Sequence, residues 1–196
     1  MDKFWFLRQK YEFDLIQYLS YLAKITKYFL FLGENLMAKL LVYATKGGDT
    51  KVVGEYIANK LGFEAKEAKD LTSDDLANAN ALVLAVSTHG DGQIHAKFDD
   101  KLDLLNSTDL GGKKVALVGV GNQERHPDDF CSGLAAFLPV LKKANLVGTW
   151  GAEGYKFNYS RAFINGKFLG LTIDFKGDKE WQNRADKWIS EFKNEF

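Results

Sequence analysis

The residues best suited to chemistry follow a buried-looking apolar run, ALVLAV at positions 81–86. The polar residues that follow it directly are Ser87, Thr88, His89, Gly90, Asp91 and Gly92. The glycines let a flat ligand approach the backbone, and the imidazole offers a planar ring with hydrogen-bonding nitrogens. We therefore expect a ligand-binding loop at the end of a strand. The alternative is a solvent-exposed histidine in an ordinary loop.

A second loop, with the sequence TKGGDT, has the residues of an anion site. Its residues are Thr45, Lys46, Gly47, Gly48, Asp49 and Thr50. Tight backbone ahead of a helix presents amide N–H groups, and threonine hydroxyls add further donors. The loop lacks the GK[ST] ending of nucleotide-triphosphate loops, so it predicts a simpler phosphate site. The alternative is a strand–helix turn with Thr50 as the N-cap.

Two more loops are rich in glycine and follow predicted strands. Residues 119–131 read GVGNQERHPDDFC and bring a second ring, His126, ahead of a helix start near Asp128. Residues 151–155 read GAEGY. Gly119 and Gly121 also fit a plain packing role. Taken together, one loop suits phosphate and two present rings and polar edges, which predicts a ligand such as FMN.

Alternating strand and helix patterns place these loops at one edge of a sheet. The predicted strands are Lys39–Ala44, Phe63–Ala68, 81–86, Lys114–Val120 and Asn145–Trp150, and the predicted helices are Thr50–Leu61, Lys97–Leu105, Asp128–Lys143 and Glu180–Phe196. This order predicts an α/β fold, a doubly wound five-stranded parallel sheet with helices on both faces. Such sheets bind ligands beyond the carboxyl ends of their strands.

Composition narrows the function classes. The 196 residues carry 26 lysine and arginine against 26 aspartate and glutamate residues, so nothing attracts nucleic acid in general. The single cysteine, Cys131, excludes an internal disulfide and fits a reducing cytoplasm. His89, His95 and His126 come without a cysteine or carboxylate cluster, so we expect no metal site.

Residues 1–36 differ from the rest because they hold ten of the 27 aromatic residues. The segment Phe13–Leu32 predicts an amphipathic helix, and Lys24 and Lys27 within it argue against a membrane span. The main domain, a membrane surface or a partner could cover its aromatic side chains. Alternatively Met37 is the true start, because MAKLLVYAT begins a complete domain.

From about Met37 to Phe196 the sequence resembles the flavodoxin family, in particular its long-chain branch. YATKGGDT resembles the phosphate loop, STHGDG the flavin loop after the third strand, and GVGNQERHPDDFC the segment after the fourth. EGYKFNYSRAFINGKFLGLTID resembles the insertion that splits the fifth strand in long-chain members. The resemblance implies strand order 2-1-3-4-5.

The resemblance also implies roles for individual residues. The loop 45–50 would hold the FMN phosphate, and His89 and His126 would flank the isoalloxazine ring. The Gly90–Asp91 peptide would lie by the flavin N5 and turn on one-electron reduction. The implied contacts of the third segment are Gly121, Asn122 at the pyrimidine edge, Gln123, Phe130 and the backbone around Cys131.

Four positions depart from the family pattern. Gly47 replaces a threonine, His89 a tryptophan, His126 a tyrosine and Asn122 an aspartate. We expect weaker FMN binding, since imidazole offers less stacking area than larger aromatic rings. The lost negative charge and titratable imidazoles predict a second reduction potential that is less negative than usual and rises with acidification.

The implied function is a low-potential, monomeric, cytoplasmic one-electron carrier. Its partners would be a ferredoxin/flavodoxin–NADP reductase or photosystem-type donor and low-potential redox enzymes. Residues 37–196 carry 21 basic and 22 acidic residues, so steering toward a reductase should be weak. The alternative is an FMN-dependent NAD(P)H or quinone reductase. A response receiver is disfavoured, because Ala44–Thr45 and Val86–Ser87 stand where such domains need aspartates.

Overall fold

A computed structural model describes residues 15–29 and 38–196. The chain divides into two compact units, Met1–Met37 and Ala38–Phe196. In the first unit residues 15–29 form helix α1, inside the predicted helix Phe13–Leu32; the ends of that prediction and the aromatics at positions 4–13 and 31 lie outside the described residues. The large apolar side chains exposed on α1 are Leu15, Ile16, Tyr18, Leu19, Tyr21, Leu22, Tyr28 and Phe29.

The second unit is built around one parallel sheet. Its strands are β1 (Ala38–Tyr43), β2 (Glu64–Glu67), β3 (Ala79–His89), β4 (Gln93–Ile94), β5 (Lys114–Gly121), β6 (Asn145–Leu146), β7 (Phe163–Ile164), β8 (Lys167–Phe168) and β9 (Leu171–Asp174). Its helices are α2 (Asp49–Leu61), α3 (Ser73–Asn78), α4 (Ala96–Ser107), α5 (Leu138–Leu141) and α6 (Trp181–Phe192). The main path is β2-β1-β3-β5-β6, which confirms the predicted order 2-1-3-4-5.

Both faces of the sheet are covered, which explains the uninterrupted apolar runs. Successive side chains of a strand point to opposite faces. Leu82 and Leu84 of β3 therefore join a core with α4 and α5, while Val83 joins a second core with α2 and α6. Trp188 of α6 is fully buried in the second core, and its indole N–H donates to the Gly148 carbonyl at 2.8 Å.

The fifth strand position is split, as the resemblance implied. Both β6 and β9 pair in parallel with β5, with Lys114 opposite Asn145 and Gly121 opposite Asp174. The predicted continuous strand Asn145–Trp150 is therefore too long. Gly148 has φ +75°, a left-handed conformation that ends the extended run.

The predicted helix Asp128–Lys143 is wrong over most of its length. Residues Ser132–Phe137 form a 3₁₀ helix, and α5 adds only Leu138–Leu141. Cys131 has φ +55°, which no α-helix tolerates, and the Gly133 amide donates to Thr88 Oγ1 at 3.0 Å. A contact from another strand thus fixes this backbone and overrides the local helical pattern.

Smaller differences concern the ends of elements. Strand β3 continues to His89 and turns through Gly90 and Gly92, both at positive φ, into β4. The sequence analysis missed α3, although Thr72 and Asp75 form a capping box at its start. The N-cap of α2 is Gly48, so Thr50 lies inside the helix, and α6 ends at Phe192 instead of the chain end.

Candidate functional site

The carboxyl ends of β1, β3 and β5 meet around a cleft of about 200 Å³. Three loops that the sequence singled out form its walls. The residues that line it are Thr45, Lys46, Gly47, Asp49, Thr50, Ser87, Thr88, His89, Val120, Gly121, Asn122, His126 and Lys176. The topology thus brings together eleven of the predicted site residues, and it adds Val120 and Lys176, which the sequence analysis did not identify.

One end of the cleft is the turn between β1 and α2. Gly48 adopts φ +95°, and its amide donates to Thr45 Oγ1 at 2.9 Å, so the threonine closes the loop. No side chain in the described part of the chain caps α2, whose first backbone bond runs from Val52 N to Gly48 O. The amides of Asp49, Thr50 and Lys51 therefore remain available to an anion at the positive end of the helix dipole.

Two charged side chains face each other at this end. Lys176, in the turn after β9, places its Nζ 3.0 Å from Asp49 Oδ1 at the start of α2. The pair joins segments 127 residues apart. No sequence motif marks Lys176. The only signal for it in the sequence was its position just after the last strand of the sheet, at the edge where ligands bind.

His89 lies on the second wall, and His95 packs against it. His89 lies at the end of β3, and its Nε2 is hydrogen-bonded to Ser87 Oγ at 2.9 Å. Its ring meets the edge of the His95 ring, with centroids 4.9 Å apart and an interplanar angle of 73°. His95 caps α4, where its Nδ1 accepts from the Lys97 amide at 3.2 Å. The sequence analysis considered His95 only as a metal ligand, because its role depends on the β3–β4 hairpin.

Burial and the charge of Lys46 both lower the pKa of His89 from its ordinary value. The pKa of His95 is also lowered, first by burial and then by the neighbouring His89 and lysines. Both rings therefore carry less positive charge near neutral pH than an ordinary histidine does. This moves the expected acid-driven rise in reduction potential to a lower pH than an unperturbed histidine would give.

The third wall is a turn after β5. Asn122 Oδ1 accepts from the Arg125 amide at 2.9 Å, and the Asn122 carbonyl accepts from the His126 amide at 3.0 Å. These bonds fold residues 122–126 back on themselves and bring His126 to the cleft. The walls that carry His89 and His126 belong to β3 and β5, which are adjacent in the sheet.

Seven predicted site residues do not line the cleft: Gly48, Gly90, Asp91, Gly92, Gln123, Phe130 and Cys131. Gly48 shapes the first loop through its amide. The Gly90–Asp91 peptide lies in the β3–β4 turn, where the Asp91 amide donates to Gln93 Oε1 at 3.2 Å. The Asp91 carbonyl accepts from Arg161 Nη2 at 2.8 Å, which ties this turn to the insertion.

The other side chains lie behind the cleft. Gln123 Oε1 accepts from the Lys156 amide of the insertion at 2.5 Å. Phe130 is buried in an aromatic cluster with Tyr155 and other rings of the insertion. Cys131 is buried, and burial raises the pKa of its thiol far above the ordinary value. All three residues belong to the chain segment of the third wall, but their side chains do not line the cleft.

Within residues 15–29 and 38–196, no three histidine, cysteine, aspartate or glutamate side chains are grouped as metal ligands would be. Over the same described ranges, no helix has both the length and the apolar character needed to cross a membrane.

Comparison with known proteins gives consistent matches. The family model described as flavodoxin matches residues 41–144. The flavodoxin of Synechococcus elongatus is 33% identical over 168 residues, covering 82% of this chain and 99% of that protein. The flavodoxin of Helicobacter pylori is 27% identical and covers 80% and 96%. The crystal structure of Fusobacterium nucleatum flavodoxin bound to flavin mononucleotide matches with a TM-score of 0.74, at 30% identity, covering 81% and 98%.

Proposed function

Because the chain belongs to the flavodoxin family, we propose that it is an electron carrier that binds FMN non-covalently. The chain shuttles single electrons between redox proteins and has no substrate of its own. The observation that carries this conclusion is the cleft where β1, β3 and β5 end, which is lined by the start of α2 and by the rings of His89 and His126. FMN supplies the redox chemistry when it is bound.

The residues of the cleft fit this cofactor. The uncapped start of α2 supplies amide donors and a favourable dipole for a phosphate. Thr45 and Thr50 line the same end, although Gly47 supplies no hydroxyl there. We assign the phosphate to residues 45–50.

We assign the isoalloxazine ring to the space between His89 and His126, with Asn122 at its polar edge. The Gly90–Asp91 peptide and the segment 119–131 would complete the site around the ring. This arrangement is supported by the common cleft of the three side chains and by the FMN-bound state of the Fusobacterium nucleatum protein.

The reductase alternative is less well supported. The relatives that match over most of their length are named flavodoxins. The described residues also give no observation that favours a separate substrate site above the cleft. We therefore prefer an electron carrier to an NAD(P)H or quinone reductase.

The partners we propose are a ferredoxin/flavodoxin–NADP reductase or photosystem-type donor and low-potential redox enzymes, met in the cytoplasm by a monomer. The almost neutral charge of residues 37–196 supports docking through local contacts more than long-range steering. Long-chain membership is supported by the insertion between β6 and β9.

We further propose that residues 37–196 are the FMN-binding domain and residues 1–36 an extension. The family match, at residues 41–144, lies wholly in the larger part. For α1 we propose contact with an anionic membrane surface: Ser20, Lys24 and Lys27 share one face by helical spacing, and large exposed apolar side chains occupy the others. Co-sedimentation of the full chain with anionic vesicles tests this, and equal sedimentation with neutral vesicles or none at all contradicts it.

Stepwise reduction of the FMN-loaded chain tests the electron-carrier function. We expect a flavin radical signal by electron paramagnetic resonance at intermediate potential. Reduction of cytochrome c by NADPH should require both an added flavodoxin reductase and the FMN-loaded chain. The chain without FMN is the control. Oxidation of NAD(P)H by a quinone with the FMN-loaded chain alone would instead support the reductase alternative.

A further inference from the structure

The phosphate end of the cleft contains an acidic side chain where an anion should bind. Asp49 is the first residue of α2, and its side chain lines the cleft. An acidic residue in the first turn stabilises a helix through the helix dipole. However, the FMN phosphate carries about −1.5 to −2 charges at neutral pH, so the same carboxylate would repel it.

Lys176 offsets this repulsion by its position. Its Nζ lies 3.0 Å from Asp49 Oδ1, and its side chain lines the same cleft. The lysine side chain remains 59% exposed, so the ion pair by itself adds little to folding stability. A surface ion pair of little structural value that lines a binding cleft is better explained by the ligand than by the fold.

The second lysine of the cleft, Lys46, belongs to the loop 45–50 itself. Its charge lowers the pKa of His89 and of His95. Lys176 contacts Asp49 in the loop assigned to the phosphate. Of the two cationic side chains, Lys176 is the one that pairs with the acidic residue at the start of α2.

We infer that Lys176 is a specificity-determining residue for the cofactor's phosphate: it neutralises Asp49 and makes the cleft favour FMN over riboflavin, which lacks the phosphate. The inference rests on the proposed function, since it concerns the same site.

Fluorescence titrations of FMN and of riboflavin into the purified chain test the inference. We expect Lys176→Met to weaken FMN binding about threefold to tenfold, the range of a partly exposed charge contact, and to leave riboflavin binding unchanged. The effect should shrink at high salt, because ions screen exposed charges. The matched control is Lys179→Met, an exposed lysine outside the cleft that should change neither titration.

The double variant separates neutralisation from direct attraction. If Lys176 mainly cancels Asp49, Asp49→Asn should restore FMN binding in the Lys176→Met background to within about twofold of the wild type. Equal weakening of FMN and riboflavin by Lys176→Met would show a merely structural role and overturn the inference, as would no change at all. A wild-type chain that binds neither flavin contradicts the proposed function itself, whereas one that binds both equally contradicts only this inference.

Discussion

Gln93 holds the peptide that is expected to turn when the flavin accepts an electron. The Asp91 amide, which belongs to the Gly90–Asp91 peptide, donates to Gln93 Oε1 at 3.2 Å. Turning the peptide breaks this bond. Gln93→Ala removes this bond from the oxidised state, which is the only state in which the bond forms. The peptide should therefore turn more easily in the variant.

The size of the effect follows from the bond. An exposed, fairly long hydrogen bond between neutral groups contributes about 0.5–1 kcal/mol, which corresponds to about 20–40 mV for one electron. We expect Gln93→Ala to raise the first reduction potential of the bound FMN by that amount. The second potential should stay unchanged, because the peptide is turned both before and after that step.

Spectroelectrochemical titration at constant pH measures both potentials. Gln182→Ala is the control, since Gln182 is exposed on α6. An unchanged first potential, or equal shifts of both potentials, would refute the reasoning that Gln93 restrains the peptide.

Three further predictions concern the protein without cofactor. Because the pKa of His89 is lowered in the folded chain, the unfolded chain takes up a proton first as the pH drops, and the free energy of unfolding should fall through about pH 6.5. Urea titrations at several pH values should show a smaller fall in the variant His89→Gln. The same dependence on pH in the variant and the wild type would contradict this. Trp188→Ala should cost about 3–5 kcal/mol of unfolding free energy in urea, because it empties a fully buried site, and a loss under 1 kcal/mol would contradict the described packing. Cys131 should react with a thiol reagent no faster than the chain unfolds, because the thiol is buried and its pKa raised; rapid labelling of the native chain would show that the third wall opens.

The central sheet could be predicted because the sequences of its strands fit only one kind of structure. Residues 81–86 are apolar without interruption, and such a run can be satisfied only where both faces of a strand are covered. The three cleft loops could then be predicted as well, because the carboxyl ends of neighbouring parallel strands meet at one edge of the sheet. This argument brought residues as distant as Thr45 and His126 to one site.

The backbone after β5 could not be predicted from local pattern. Residues 128–143 have helical spacing of apolar side chains, yet Cys131 adopts a positive φ and the Gly133 amide bonds to Thr88. That partner lies 45 residues earlier in the chain. Helical periodicity reports only which side chains are buried, so it does not reveal that a distant hydroxyl takes an amide away from the helix.

Lys176 and His95 escaped prediction for a related reason. Lys176 meets Asp49 across 127 residues, and no spacing rule links them. His95 meets His89 only because Gly90 and Gly92 turn the chain tightly enough to pair β3 with β4. A residue that a turn brings to the site, or next to it, can be identified only when the turn itself is known.

The most direct test of the central claim is a fluorescence titration of FMN into the purified chain without cofactor. We predict saturable binding with one FMN per chain and quenching of flavin fluorescence, because the proposed site places the ring between His89 and His126 and the phosphate in the loop 45–50. FMN that stays fully fluorescent at protein concentrations well above those of ordinary flavoprotein affinity would contradict the account. In that case the changes at Gly47, His89, Asn122 and His126 have abolished the cofactor site on an intact flavodoxin fold.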